Sequence, residues 1–381
     1  MEIWTKFVDS GIPWDCIYLD FAKAFDSVPH ERLLSKVKAC GINGKVWGWI
    51  RDFLHDRKQR VVLGQERSQW RPVTSGIPQG SVLGPLLFII FINDLPKEIE
   101  SYTKIFADDT KLFKAIEDAT DSNIIQCDLQ KLLDWSKKWQ LPFNTAKCKV
   151  LHYGKDNPHF NYIMENNILK KALEEKDLGV TFDDNLNFKI HIRNITAKAN
   201  SRVGLIKRSF LHLSIDSFIP LFKALIRPLL EYCSNIWFPV TQLEINEIEK
   251  VQRRATKLIP SLKNTPYPDR LKYLNLHTLK FRRERNDMIQ TFRILKNIDE
   301  LDIATFFELD TVNRTRGHSL KLKKPRVESR TRQNSFSQRI INPWNSLPES
   351  AVSCTTLNSF KTELLRAWKN HPYKFDPLGN I

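Results

Sequence analysis

The sequence is poor in cysteine, and the cysteines it has are scattered. Six occur in 381 residues, and no two form a C-x-x-C pair. A recognisable zinc ribbon is therefore excluded, and the pattern suits a reducing intracellular compartment. The cysteines are Cys16, Cys40, Cys127, Cys148, Cys233 and Cys354.

Long apolar runs are also missing. The longest one, from Val82 to Ile92, is too short to cross a bilayer. No secretory signal precedes Trp4. These absences predict a soluble protein without a membrane partner, located in the nucleus, the cytoplasm or both.

Positive charge, by contrast, is abundant. Lysine and arginine number 59 against 43 acidic residues, a formal net charge of +16. Such an excess favours a polyanionic partner such as nucleic acid. With 41% hydrophobic residues the chain can bury a sizeable core and is long enough for two or three domains.

Three short segments carry acidic and glycine residues in one order: LDFAKAFD at 19–26, SGIPQGSVLGP at 75–85 and FADD at 106–109. Asp20 and Asp108 each follow a run that predicts a buried strand, so two carboxylates would end neighbouring strands. Asp109 in the turn would add a third carboxylate or orient the others. Two Mg²⁺ ions can drive in-line phosphoryl transfer and need few carboxylates beside substrate phosphates. The alternative is an ordinary Asp-Asp hairpin turn.

The order of these segments resembles the reverse transcriptase of non-long-terminal-repeat retrotransposons of the jockey and chicken-repeat type. The resemblance extends from about Gly11 to the C-terminus. It implies an RNA-directed DNA polymerase that adds dNTPs to the 3′ hydroxyl of a DNA primer on an RNA template. Two Mg²⁺ ions would serve as cofactors, with Mn²⁺ able to substitute.

The resemblance also implies roles for single residues. Asp20, Asp108 and Asp109 would be the catalytic metal ligands. Lys147 would lie near the triphosphate as a proton donor to the leaving pyrophosphate, although a solvated surface lysine is an open alternative. Gln79, in the Pro-Gln-Gly turn that ends at Gly80, would lie beside the templating base and the incoming nucleotide.

Phe25 is the residue that most favours deoxynucleotides. By the resemblance, its ring lies under the sugar and leaves no partner for a 2′ hydroxyl, which disfavours ribonucleotides. A core phenylalanine is the alternative. Asp26 and His30 match the same family pattern and are predicted to be structural, with Asp26 capping the helix that Pro29 opens.

Two basic clusters are predicted to contact nucleic acid. One is a predicted flexible or partly ordered arm at 311–339, which would contact phosphates without reading sequence, unless it is a linker. The other, in the helical pattern around 280–285, would pack along a template–primer duplex. The residues singled out are Arg282, Arg283, Arg314, Arg316, Lys321, Lys323, Lys324 and Arg326.

The predicted fold is α+β, with three regions. A polymerase palm, an antiparallel sheet with helices, covers 1–190. A helical thumb covers 191–300, with helices near 195–213, 217–226, 243–259 and 276–296. A basic C-terminal region covers 301–381. The hairpin at 178–180 resembles the family's primer-gripping motif.

The resemblance departs from the family at the start of the chain. The family's fingers subdomain and endonuclease come before the palm, whereas this sequence begins shortly before Asp20. We therefore expect only trace extension from the 381 residues alone. The alternatives are a catalytically inactive nucleic-acid-binding remnant of a mobile element and a purely structural fragment. The oligomeric state is not predicted.

Overall fold

The computed structural model describes residues 1–310 and 317–379. The chain divides into two compact units, one of Gly11–Glu174 and one of Met1–Ser10 together with Glu175–Ile381. The first helix, α1 (Glu2–Ser10), therefore belongs to the same unit as the C-terminal half. This division differs from the predicted boundaries at 190 and 300. Within the described residues, no helix is long and apolar enough to cross a membrane.

A five-stranded sheet organises the Gly11–Glu174 unit, in the order β11-β8-β1-β7-β6. The central strand pairs antiparallel with both neighbours and is buried at almost every position. The strands are β1 (Trp14–Leu19), β6 (Tyr102–Phe106), β7 (Asp109–Ala115), β8 (Lys149–Tyr153) and the parallel edge strand β11 (Lys170–Lys171). The apolar run before Asp20 thus forms the predicted buried strand.

Helices and short hairpins complete this unit. The predicted apolar stripe of α6 is confirmed, because Ile125, Leu129 and Leu132 are buried. The helices are α2 (Ala24–Ser27), α3 (His30–Ala39), α4 (Gly44–Leu54), α5 (Leu83–Ile92) and α6 (Ala119–Trp139). The two-residue strands are β2 (Lys58–Gln59), β3 (Val62–Leu63), β4 (Glu66–Arg67), β5 (Arg71–Pro72), β9 (Ile163–Met164) and β10 (Asn167–Ile168).

The cap predicted for α3 is wrong. The helix begins at His30, and its capping residue, Pro29, has no side chain that can accept a hydrogen bond. Asp26 lies in α2 instead, and its carboxylate accepts a hydrogen bond from Gln79. Asp26 does not cap α3 because the fold brings the loop of Gln79 against it, and the Asp26 carboxylate binds that side chain instead.

The second unit is helical after one hairpin. Strands β12 (Glu174–Asp177) and β13 (Val180–Asp183) are joined by Leu178 and Gly179, both with positive φ. The hairpin predicted at 178–180 is therefore present. The four predicted helices correspond to α7 (Lys189–Ser209), to α8 (Ile215–Leu221) with the π-helical segment Phe222–Ile226, to α10 (Gln242–Thr256) and to α12 (Leu279–Leu295). The structure adds two helices that were not predicted, α9 (Arg227–Glu231) and α11 (Tyr267–Tyr273).

Short helices end the chain and share a core with α12. Phe292 stacks on Phe360, and the fully buried Trp344 lies beside Phe360, with ring centroids 5.9 Å apart. The helices are α13 (Ile303–Phe306), α14 (Arg330–Gln333), α15 (Phe336–Arg339), α16 (Ile341–Asn345), α17 (Glu349–Val352) and α18 (Leu357–Ala367). The antiparallel sheet and these helices confirm the α+β class.

Residues 317–339, predicted to be flexible or partly ordered, are held by contacts with α1, and their binding to phosphates stays a prediction. Arg332 forms a buried ion pair with Glu2 of α1, 2.6 Å long. Asp9, at the end of the same helix, accepts hydrogen bonds from the backbone of Glu328 and Ser329. Leu322 is buried. The contacts with α1 could not be read from the sequence of the arm, because Glu2 and Asp9 lie more than 300 residues before their partners.

Candidate active site

Two strands of the sheet bring the predicted carboxylates to one end of the Gly11–Glu174 unit. The last paired residues of β1 and β7 are Leu19 and Thr110. One position further, Asp20 therefore lies opposite Asp109 in the antiparallel register. Asp108 occupies the two-residue turn before β7, where Ala107 has a positive φ of 53°. Asp109 begins the strand rather than lying in the turn.

The backbone around Asp20 is fixed by the segment that follows α6. The carbonyl oxygen of Asp20 accepts a hydrogen bond of 2.7 Å from the amide of Asn144. Cys148 packs beside the same carbonyl, and burial raises the pKa of its thiol to about 11. The thiol is therefore neutral at physiological pH and adds no charge to the site. Because the backbone carbonyl of Asp20 is already hydrogen-bonded, the carboxylate is the group of this residue that can bind a ligand.

Lys147 lies directly beside Asp20. Its Nζ is 3.2 Å from Oδ2 of Asp20, while the lysine side chain is 68% exposed. The structure thus brings together two of the predicted catalytic residues. An exposed pair of this kind contributes little to stability, so the proximity is better explained by the site than by folding.

A second loop is held against the segment that carries Phe25. The amides of Gly76 and Ile77 donate hydrogen bonds to the carbonyls of Val28 and Phe25, at 2.8 and 2.7 Å. Gly76 has φ +89°, and a Cβ at this position would lie 2.7 Å from the carbonyl oxygen of Asp26. Only glycine fits such an approach. The first glycine of SGIPQG therefore joins the two motifs.

Two further side chains hold Gly76. His30 donates from Nε2 to the Gly76 carbonyl at 2.9 Å, and Arg57 donates to the same oxygen at 2.8 Å. Burial lowers the pKa of His30, so the neutral imidazole is favoured. His30 is 5% exposed, as its predicted structural role requires.

Gln79 is positioned by this joint. Its amide Nε2 donates to Oδ1 of Asp26 at 3.1 Å, and both side chains are exposed. Gly80 follows with φ +79° and open space around its α-carbon. Asp26 is thus a positioning residue for Gln79, a role that the sequence pattern did not indicate.

Phe25 lies at the edge of the core, which leaves both of its predicted roles open. Its ring stacks on Phe88 of α5, with centroids 4.6 Å apart, and Phe88 is fully buried. Phe25 itself is only half-buried. One face of the ring belongs to the core, and the remaining surface is accessible beside the motif loops.

The carboxylates suit a divalent cation that also binds a substrate. Oδ2 of Asp20 is buried, and its one recorded partner among residues 1–310 and 317–379 is the Lys147 ammonium, with which it forms an ion pair rather than a hydrogen bond. No group of three or more His, Cys, Asp or Glu residues there could hold a metal by itself. Mg²⁺ usually takes one or two carboxylates and completes its shell with phosphates and water. The donor set therefore fits Mg²⁺ bound together with a nucleotide.

The basic residues predicted to bind nucleic acid are placed unequally in the second unit. The prediction that Arg283 contacts nucleic acid is corrected, because its side chain is 1% exposed and lies in the interior of the unit, on α12. Arg282 is paired through two nitrogens with Glu231. Lys323 pairs with Glu308, and Lys321 is half-buried. Lys324 and Arg326 are exposed. Arg314 and Arg316 lie outside the described residues.

Sequence reasoning missed a buried polar network under β1. Asp15 is 0% exposed and accepts hydrogen bonds from His152, Asn157 and Tyr162, the last at 2.5 Å. An acidic residue inside an otherwise apolar strand was the available signal. These bonds fix β8 and the following loop beside the strand that ends at Asp20.

Comparison with known proteins gives a consistent result. Residues 11–182 match the family model described as reverse transcriptase (RNA-dependent DNA polymerase). The chain is 29% identical over 261 residues to the RNA-directed DNA polymerase from mobile element jockey of Drosophila funebris, which covers 64% of this chain and 28% of that protein. The probable RNA-directed DNA polymerase from transposon X-element of Drosophila melanogaster is 29% identical over 273 residues, 68% of this chain and 29% of that protein.

The chain thus spans less than a third of the length of these two curated relatives. Among solved structures, telomerase from Candida tropicalis, in complex with a fragment of telomeric RNA, aligns with a TM-score of 0.42 and 8% identity, over 99% of this chain and 52% of that one. This structural likeness is too weak to support a functional conclusion.

Proposed function

Because residues 11–182 belong to the reverse transcriptase family, we propose that the chain is an RNA-directed DNA polymerase segment of a non-long-terminal-repeat retrotransposon. The observation that supports the proposal is the register of β1 and β7, which continues to Asp20 opposite Asp109, the residue that follows Asp108 in the sequence. Around this point lie Lys147 and the loops of Phe25 and Gln79. Substrates would be dNTPs, a DNA primer and an RNA template.

The proposed cofactor is Mg²⁺, held by Asp20, Asp108 and Asp109 as two ions, with Mn²⁺ able to replace it. When bound, the ions supply charge stabilisation for the attacking and leaving oxygens of the displacement. The carboxylates would orient the primer hydroxyl and the nucleotide phosphates. Oδ2 of Asp20 forms no hydrogen bond, but it is paired with the Lys147 ammonium at 3.2 Å, so a bound cation would replace that ammonium.

Lys147 would move a proton at the other end of the reaction. In the structure its ammonium lies beside Asp20, 3.2 Å from Oδ2. A substrate phosphate that approached the carboxylates would compete for the same ammonium. From there Lys147 can donate a proton to the leaving pyrophosphate, the role that the resemblance implies.

Gln79 and Phe25 would select the substrate. The hydrogen bond from Gln79 to Asp26 leaves the Oε1 end of the amide available beside the templating base. The half-buried ring of Phe25, supported by Phe88, offers an apolar surface to the sugar. Such a surface provides no hydrogen bond to a 2′ hydroxyl and therefore favours deoxynucleotides.

Single-nucleotide primer extension tests the proposal. The wild-type chain should add a dNTP to a DNA primer on RNA in the presence of Mg²⁺, at trace level. Asp108→Ala should remove this addition but retain binding of the template–primer, because phosphate contacts supply most of the affinity. Asp156→Ala, an exposed loop position of the same unit, is the matched control. A wild-type chain that binds template–primer without extending it would favour the binding remnant instead.

A further inference from the structure

An open groove of about 520 Å³ lies in the C-terminal part of the second unit. Its size is within the roughly 300–1,000 Å³ that is common for ligand sites. One wall is the irregular segment 324–327, and the other comes from α14, α15 and α16. The lining residues are Lys324, Pro325, Arg326, Val327, Gln333, Gln338, Arg339 and Asn342.

The charge of the groove is positive on one side. Lys324 and Arg326 are exposed, and neither forms an ion pair within the part of the chain that the structure describes. Arg339 is the third cation, but its guanidinium is held by the carboxylate of Asp287, at 2.9 and 3.0 Å. No acidic residue lines the groove. Two uncompensated cations therefore face any ligand that enters, and they favour an anion.

The opposite wall carries amides rather than charges. Gln338 is 5% exposed, and its Oε1 is buried without a hydrogen-bond partner among the described residues. A buried polar atom without a partner costs about 1–3 kcal/mol, so a ligand that supplies one gains affinity. Rotation about the terminal torsion can present either end of the amide to the groove. Gln333 and Asn342 add two exposed amides beside it.

Cations on one wall and amides on the other match the two parts of a nucleotide. Phosphate binds Lys and Arg, whereas a nucleobase edge presents donors and acceptors that an amide side chain can pair with at once. In a duplex these edges are largely occupied, but in a single strand they are accessible. The backbone of an acidic peptide can also pair with amides, so competition by polyglutamate, described below, distinguishes the two ligands.

We propose that this groove binds an unpaired stretch of nucleic acid and reads its bases through Gln338. The proposal deepens the proposed function, on which it rests for the class of its partner: it gives the C-terminal region a sequence preference, beyond the phosphate contacts expected of a basic segment. Gln338 is a recognition residue in this scheme and takes no part in nucleotide addition.

The first test concerns the cations. The full-length protein is titrated with labelled single-stranded homopolymers of A, C and U over a range of salt concentrations. The double variant Lys324→Ala, Arg326→Ala should weaken binding to all three and lower the logarithmic salt slope by about 1.4, since each phosphate contact on a single strand contributes about 0.7. Lys369→Ala, also exposed in this unit, should leave the slope nearly unchanged if Lys369 lies off the bound strand. An unchanged slope in the double variant would overturn the proposal.

The second test concerns the bases. Gln338→Met retains the size of the side chain and removes its amide, so the preference between the best and worst homopolymer should fall by roughly fivefold or more, with the salt slope unchanged. If this variant unfolds in a thermal melt, Asn342→Ala and Gln333→Ala replace it, because both positions are exposed. A preference that survives in every folded amide variant would overturn base reading.

Two controls separate this inference from the proposed function. Polyglutamate in excess should not displace the strands, and equal competition would show that charge alone is recognised and overturn the proposal. Extension of a primer on a short template is measured on the same variants. Loss of base preference with extension retained supports base reading by the groove. Absent extension in the wild type would refute the polymerase proposal, and the binding data would then test the groove by themselves.

Discussion

Charged side chains are placed differently in the two units of the chain. In the Gly11–Glu174 unit, Asp20, Asp108 and Lys147 remain accessible above a backbone that neighbouring loops fix. In the second unit, Arg283 and Arg332 are buried, and Arg339 is held by Asp287. The charges at the candidate site of the first unit are therefore available to a ligand, whereas Asp15 in the same unit and these arginines in the second hold the fold together.

The comparison shows why a basic composition is a weak guide to a binding surface. A buried ion pair needs its partner to remain intact, because a single charge left in the interior is costly. Lys324 and Arg326 have similar sequence surroundings to Arg332, yet they are exposed. The difference lies in the position of α1, whose Glu2 reaches Arg332 from the other end of the chain.

The largest effect is expected where a buried charge loses its partner. Arg332→Met should reduce the free energy of unfolding by about 3–5 kcal/mol, because Glu2 is then left buried without its cation. Arg326→Met, at an exposed position, should change it by less than about 0.5 kcal/mol. Denaturant titration of both variants measures the contrast. An equal loss of unfolding free energy in the two variants would show that the buried ion pair of Arg332 stabilises the fold no more than the exposed Arg326 does.

The loop that joins the two motifs should be nearly as sensitive. Gly76→Ala places a Cβ 2.7 Å from a backbone oxygen at a positive φ and should cost about 3 kcal/mol. Gly48→Ala in α4 meets no atom within 4 Å and should be neutral or stabilising by about 0.5–1 kcal/mol. Thermal melts of the pair compare them. A mild effect at Gly76 would mean that the loop is not fixed as described.

Glu284 makes the stability of the second unit depend on pH. Burial raises the pKa of this carboxyl to about 7, although Lys280 and Arg283 oppose the shift. The folded state therefore retains a proton that the unfolded state releases from about pH 4.5, and stability falls as the pH rises from there to about 7. Glu284→Gln should remove this fall and gain about 3 kcal/mol at pH 8 relative to pH 4. Glu328→Gln, which is exposed, should show no such gain when both are unfolded by denaturant at the two pH values.

The smallest expected effect is a change of selectivity at Phe25. Phe25→Ala should raise the use of ribonucleotides relative to deoxynucleotides on the order of tenfold, because the apolar surface against the sugar is removed. The comparison variant is Trp49→Ala, an exposed ring on α4 of the same unit. Competitive single-nucleotide addition gives the ratio. A ratio unchanged from wild type would leave Phe25 as a core residue only.

Local patterns were sufficient for most elements of the fold. The strand before Asp20, the stripe of α6 and the long helices α7, α10 and α12 follow from apolar spacing along the sequence. The division into units did not follow, because α1 and residues 328–337 come together only through long-range contacts such as Glu2 with Arg332. Apolar periodicity carries no information about such pairs.

The sequence indicated candidate residues for the site, but not the residues that hold them in place. Asp20 and Asp108 were predicted from their positions after two strands and from the need of Mg²⁺ for carboxylates, whereas Gln79 was predicted from the resemblance alone. The partners that hold them are a histidine, an arginine and a glycine in separate segments: His30 and Arg57 bind the carbonyl of Gly76. Ordinary residues of this kind acquire a role only from the folded geometry.

The central claim is that carboxylates from two neighbouring strands hold a divalent cation. The most direct measurement is oxidative cleavage of the intact protein by Fe²⁺ bound in place of Mg²⁺, with the cut sites mapped by mass spectrometry. Cuts are expected near Asp20 and near Asp108, lost in Asp108→Asn and competed by Mg²⁺. Cuts elsewhere in the chain, or cuts near Asp20 that persist unchanged in the variant, would contradict the account.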